Sequence, residues 1–175
     1  MSVRGRARDI MLTLAVTTLA TGGCSAEQST EAEGTRNLAQ NTEGTALEKG
    51  PDGQPIIFWK ITEEDRAAVN ELLDQGYDIE TPGGFGMTPV IQAAMIDDWI
   101  TVELLLQRGA DPMVADRRGF TVPYLASTSR VAPEGTYGQA LDRVRALLNE
   151  RGIGGTVYKP DEVKRMLAAG QWPPQ

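Results

Sequence analysis

Few residues of this chain could do chemistry, and what is missing narrows the options first. The 175-residue sequence has no histidine. That removes Ser-His and Cys-His nucleophile systems, helical zinc-protease motifs and histidine-based zinc sites. Its one cysteine, Cys24, closes an N-terminal apolar segment. Two carboxylate groups remain, Glu63-Glu64-Asp65 and Asp97-Asp98. Adjacent carboxylates can work as an acid/base pair or hold calcium. Both groups fall at helix starts or inter-helix turns, where Asp and Glu cap the helix and complement its dipole. The spacing of an EF-hand loop is absent, and no phosphate-cradling or dinucleotide-binding glycine pattern occurs. The sequence therefore predicts no enzyme, no catalytic residue, no metal and no cofactor.

The elements that place these carboxylates recur along the chain. Gly86-Met87-Thr88-Pro89 is echoed by Gly119-Phe120-Thr121, 33 residues later (119 − 86), which is the length of a helix-pair repeat unit. Thr88 is placed to cap a first helix and Pro89 to open it. Ala93 and Ala94 leave room for a neighbouring helix. Val102, Leu105 and Leu106 form the apolar stripe of a second helix, with Leu104 beside them. Gly109 is placed to end that helix in the left-handed conformation. The connection beyond it has Asp116-Arg117-Arg118-Gly119 at its tip. Trp99 takes the place of a packing residue on the second helix, so it is expected in the core.

A degenerate unit precedes this one, with Val69, Leu72, Leu73 and Gly76 in register and a first helix near Pro55 to Thr62. A third unit follows from Gly119. Its second helix is expected over Gln139 to Arg151, after an insert at Ser127 to Gly138 with Pro and Gly as breakers. A last short helix, about Pro160 to Ala169, carries Val163, Met166 and Leu167 on one face and is placed to cap the stack.

These features resemble the ankyrin-repeat family over about residues 55–153. Its Thr-Pro-Leu-His signature reads Thr88-Pro89-Val90-Ile91 here, and its usual Gly-His turn reads Asp97-Asp98. The resemblance implies an all-α fold: a short solenoid of about three repeats plus a C-terminal capping helix at 154–175, joined by β-hairpin-like loops. It also implies a protein partner, met at the hairpin tips and the exposed side of the first helices. Carried over one at a time, those positions are Phe85, Met87, Arg117, Arg118 and Phe120 on the hairpins. On the first helices they are Met95 and Ile96, with Thr128 and Ser129 in the third repeat. An apolar patch rimmed by arginine has the composition of an interface centre. The alternative is that Met95 and Ile96 pack on the insert of the same molecule. Arg130 and Tyr137 make the insert a second candidate contact.

The N-terminus is read separately. Arg4, Arg6 and Arg8 precede the apolar run Ile10 to Ala20, then Thr21-Gly22-Gly23 and Cys24. That order describes a secretory signal over 1–23, with an apolar run too short to span a bilayer comfortably. It resembles the lipobox of bacterial lipoproteins, with Thr21 where leucine is usual. The resemblance implies lipid on Cys24 and, with Ser25 following, the periplasmic side of the outer membrane. Residues 24–54 contain no aromatic, Val or Ile before Gln54 and are expected to be a flexible tether. The net charge of −7 disfavours nucleic acid. Removal of the signal leaves 14 basic against 23 acidic residues, a net of −9. That charge either steers a basic partner or keeps the chain soluble.

A monomeric lipid-anchored stack of this kind resembles ankyrin-type immunity proteins of polymorphic toxin and type VI secretion systems. By analogy, a phospholipase effector would suit a membrane-anchored inhibitor. The alternative is a housekeeping envelope scaffold that docks a cell-wall or stress-response protein.

Overall fold

The computed structural model describes residues 48–174. The signal segment, Cys24 and the tether up to residue 47 lie outside the described residues. Seven α-helices follow one another: α1 (Ile56–Thr62), α2 (Arg66–Asp74), α3 (Pro89–Met95), α4 (Trp99–Gln107), α5 (Val122–Thr128), α6 (Thr136–Glu150) and α7 (Pro160–Ala168). The first six pair as α1/α2, α3/α4 and α5/α6. Helix α3 packs between α1 and α5, and α4 packs on α3 and α6. This is the all-α stack of three helix pairs that the repeat spacing predicts. No strand occurs among the described residues. The hairpin-like loops are closed by single bonds, Gly83 N–H to the Met87 carbonyl (2.8 Å) and Asp116 N–H to the Phe120 carbonyl (3.1 Å).

The first two pairs turn by the same local chemistry. Asp98 caps α4 by accepting from Thr101 N–H (3.2 Å), and Asp65 caps α2 by accepting from Ala68 N–H (3.1 Å). The residues just before them, Asp97 (φ 58) and Glu64 (φ 56), take the left-handed conformation that reverses the chain. Such a turn is tolerated by Asp because its short side chain bonds locally. Helix α4 ends where Gly109 turns left-handed (φ 101), so that Gly109 and Ala110 N–H return to the Leu106 and Leu105 carbonyls. The same closure ends α2 at Gly76 and α6 at Gly152.

The core is the seam between the pairs. Ile57, Phe58, Ile61, Val69, Val90, Ile91, Trp99, Val102, Leu105, Leu106, Val122 and Val144 are fully buried. Each large apolar side chain so buried contributes about 1.5–3 kcal/mol. Ala93 and Ala94 are buried as well, which brings α3 close to its neighbours. Trp99 lies in this core, as its register predicts.

Three local expectations are corrected. Thr88 sits at the N-cap of α3 but caps nothing, and its hydroxyl is buried without a partner. Its counterpart Thr121 does accept from Tyr124 N–H, at 3.4 Å. The insert is also shorter than residues 127–138. Helix α5 runs on through Thr128 and α6 already begins at Thr136, so Ser129 to Gly135 alone are loop. Gly138 is no breaker: it lies buried inside α6, against the backbone of Ala132 and Pro133. A Cβ there would collide with that backbone, so the glycine lets the loop fold back onto the helix.

The two ends are tied in. Residues 48–54, which composition assigns to the tether, form a turn on the first repeat. Ile56 N–H reaches the Glu48 carbonyl (2.9 Å), and the Gln54 side-chain oxygen accepts from Gly84 N–H (2.9 Å). At the other end, Glu162 accepts from Lys159 N–H (2.8 Å) at the start of α7. Pro160 lies against the backbone of Gly119, and Trp172 Nε1–H donates to the Met113 carbonyl (2.8 Å). The C-terminal segment thus returns to the loop that follows α4.

Candidate protein-binding surface

The loop between α4 and α5 is organised by one buried carboxylate. Asp116 is 0% exposed. Its Oδ1 accepts from the backbone N–H groups of Arg118 and Phe120, both at 2.9 Å. Its Oδ2 accepts from Arg118 Nε–H at 2.7 Å. These bonds set both the loop backbone and the direction of the Arg118 side chain. The guanidinium then lies between two rings, 5.0 Å from the centroid of Phe85 and 5.2 Å from that of Phe120. Each such contact contributes about 0.5–1 kcal/mol at an exposed site. Met95 Sδ accepts from Arg118 Nη2 at 3.0 Å, and Met87 Sδ lies 3.8 Å from the same nitrogen. A backbone bond from Arg117 N–H to the Phe85 carbonyl (2.9 Å) ties this tip to the preceding one.

The structure thus gathers Phe85, Met95, Arg117, Arg118 and Phe120 from two repeats into one patch. Phe85 is 63% exposed and Met95 40% exposed. Ile96, one residue beyond Met95 at the end of α3, is 44% exposed. Arg117 is exposed as well. Phe120 is half-buried, with Tyr124 at 5.9 Å between ring centroids. Met87 is a correction: only 8% of it is exposed, so it supports the patch from below and is not a contact residue. Its sequence position marks a hairpin, but the next loop comes over it, with Arg118 Nη2 3.8 Å from its sulfur.

The remaining candidates lie elsewhere, in the turns that link the helices of a pair. Tyr137 donates to Glu64 (2.6 Å) and accepts from Arg66 (3.3 Å), while Arg66 also donates to Asp98 (2.7 Å). The chain of bonds crosses all three repeats. Burial alone would lower the Arg66 pKa, but the bonds to Asp98 and Tyr137 outweigh it and raise it. The bond to Glu64 pushes the Tyr137 hydroxyl up. Ser129 donates to Asp97 (2.8 Å) and accepts from Trp99 Nε1–H (3.1 Å). Thr128 donates to the carbonyl of Tyr124 (3.0 Å) within its own helix. The polar atoms of Ser129 and Tyr137 thus join one repeat to another. Arg130 is exposed on the loop before α6.

Four of the five carboxylates in the two groups make capping or inter-repeat bonds. Asp65 and Asp98 cap helices, and Glu64 and Asp97 hold inter-repeat bonds. Among the described residues no group of three or more Cys, Asp or Glu is placed to hold a metal ion. Asp116 is the functional residue that sequence reasoning passed over. Its signal was present: an Asp two residues before Arg118 and four before Phe120, within reach of its own loop's N–H groups.

Comparison with known proteins agrees with this geometry. The ankyrin-repeat family profile matches residues 85–117, which contain the α3/α4 pair and reach Asp116 but stop before Arg118 and Phe120. The chain is also similar to the protein named Ankyrin repeat, SAM and basic leucine zipper domain-containing protein 1 from three mammals. The one from Mustela putorius furo is 30% identical over 126 residues, 71% of this chain and 26% of that protein. Those from Neofelis nebulosa and Loxodonta africana are 30% and 32% identical, over 78% and 68% of this chain and 27% and 24% of theirs. The chain therefore spans about a quarter of the length of these relatives. The stack of helix pairs with an ankyrin sequence at its centre gives this chain the all-α fold of a short ankyrin-repeat solenoid.

Proposed function

We propose that this chain is an immunity protein that binds and neutralises a toxin effector on the periplasmic side of an outer membrane, held there by lipid on Cys24. The observation that carries a protein-binding role is the patch around Arg118. An exposed ring (Phe85), an exposed methionine (Met95) and the half-buried Phe120 surround a cation whose position is already set by Asp116. Anchors of this type, held rigid before binding, lose little entropy when a partner arrives. The anchor rests on the order of three arginines, an apolar run and Cys24 in the sequence. A phospholipase is the effector class that fits a membrane-anchored inhibitor.

The test is survival of cells that make the neighbouring gene's product in the periplasm, with and without this chain. Rescue only in its presence supports immunity, and killing at the same rate in both overturns it. If that neighbour is an envelope-assembly protein that binds without toxicity, the scaffold role replaces it. For the anchor, Cys24→Ala should move the protein from the membrane fraction to the soluble one. Retention in the membrane would remove lipidation from the proposal.

A further inference from the structure

We propose that Met95 is a site of oxidation by peroxides, and that its sulfoxide resets the binding patch through Arg118. The inference rests on the patch being a binding surface only for its consequence. The modification itself concerns the chain alone. Among the described methionines, Met87 is 8% exposed and Met113 and Met166 are half-buried, whereas Met95 is 40% exposed on the last turn of α3. Its sulfur also touches the one group that organises the patch. Arg118 Nη2 lies 2.7 Å from Asp116 Oδ2 and 3.0 Å from Met95 Sδ, so one nitrogen bridges the buried carboxylate and the thioether.

The chemistry is a two-electron oxygen transfer. A sulfur lone pair attacks one oxygen of hydrogen peroxide, the S–O bond forms and the O–O bond breaks. The proton on the attacked oxygen passes to the departing one, which leaves as water. Sulfur is oxidised and the peroxide reduced. A thioether is a weak acceptor, and a sulfoxide oxygen is a strong, polar one. The nearest donor is the Arg118 guanidinium. A sulfoxide at Met95 draws that guanidinium toward itself and away from the faces of Phe85 and Phe120. It also places a polar group where the patch is apolar. The patch keeps its backbone, because Asp116 still holds the Arg118 and Phe120 N–H groups.

The test treats the protein with dilute hydrogen peroxide and follows each methionine by peptide mass spectrometry. Arg118 Nε–H is followed by NMR, assigned through its loss in Arg118→Lys. Met95 is expected to oxidise about fivefold faster than Met87, with Met113 and Met166 between them, in keeping with exposure. The Arg118 Nε–H signal is expected to shift in step with Met95 oxidation. Met95→Leu, close in volume and free of sulfur chemistry, should leave that signal unmoved by peroxide. Oxidation of Met113 or Met166 at the same rate as Met95 would overturn the site. A still Arg118 signal in the oxidised wild type would overturn the coupling. Neither readout uses a partner, so failure here is distinct from failure of the immunity role.

Discussion

Asp116 holds Arg118 twice, through the backbone N–H at 2.9 Å and through Nε–H at 2.7 Å, while itself being shut off from solvent. A buried carboxylate and a surface guanidinium two residues away thus act as one unit. The carboxylate sets the loop, the loop aims the arginine, and the arginine spaces the Phe85 and Phe120 rings. The outer surface of the protein is therefore fixed from beneath.

Asp116→Ala should cost about 2–4 kcal/mol, because two backbone N–H groups and one guanidinium lose their acceptor. Urea denaturation followed by circular dichroism measures it. The helices should survive, since the lost bonds lie in the loop. An unchanged midpoint would show that the loop holds its shape without the carboxylate.

Phe85→Asp combined with Ile96→Asp should abolish partner binding and leave helical circular dichroism intact. Both side chains are exposed, and Phe85 sits at φ 57, a conformation Asp adopts more readily than Phe. The stability change should stay near the ~0.5–1 kcal/mol of the lost Phe85–Arg118 contact. Phe120 is left native because its ring packs on Tyr124, so its replacement would mix binding with folding. Full affinity in the double variant places the partner on another face.

Tyr137→Phe and Asp98→Ala probe the bonds that tie the repeats together. Loss of the Tyr137 hydroxyl should cost about 1 kcal/mol. Asp98→Ala removes a buried cap and the partner of Arg66 together, and should cost about 3–5 kcal/mol. A double-mutant cycle of Tyr137→Phe with Glu64→Ala, which removes the acceptor, should be non-additive, because the two groups share one bond. Additive costs would mean that the bond contributes nothing in solution.

Glu80 offers a test by pH. Burial raises its carboxyl above the ordinary carboxylate range, and the bond it accepts from Asp111 N–H (2.7 Å) only partly offsets this. The folded state then keeps the proton to higher pH than the unfolded chain does. Its contribution is therefore favourable below the ordinary carboxylate pKa and is lost as pH rises through the raised folded value. Glu80→Gln should raise Tm by about 1–3 °C at neutral pH, with the gain vanishing in acid. A gain larger in acid than at neutral pH would reverse the assignment.

Much of the fold was legible because its signals are local. Gly76, Gly109 and Gly152 end their helices through bonds within six residues, so spacing alone finds them. Asp65 and Asp98 cap for the same reason. The insert was misjudged because Gly138 acts through contact with Ala132 and Pro133, and only packing distinguishes such a glycine from a breaker. Of the candidate surface, Phe85, Met95, Ile96 and Arg118 could be named by repeat position. That Met87 is covered and that Tyr137 is bonded to Glu64, 73 positions away, could not.

By itself the sequence determined the repeat, the order of the helices, and the aspartates and glycines that cap and end them. These follow from backbone preferences and short-range bonds that each unit satisfies within itself. The tertiary structure alone decided which side chains share a surface. Stacking one repeat on the next covered Met87, joined Tyr137 to Glu64, and brought the Phe85 and Phe120 rings to Arg118. Those contacts are set by the offset between units, which no single repeat encodes.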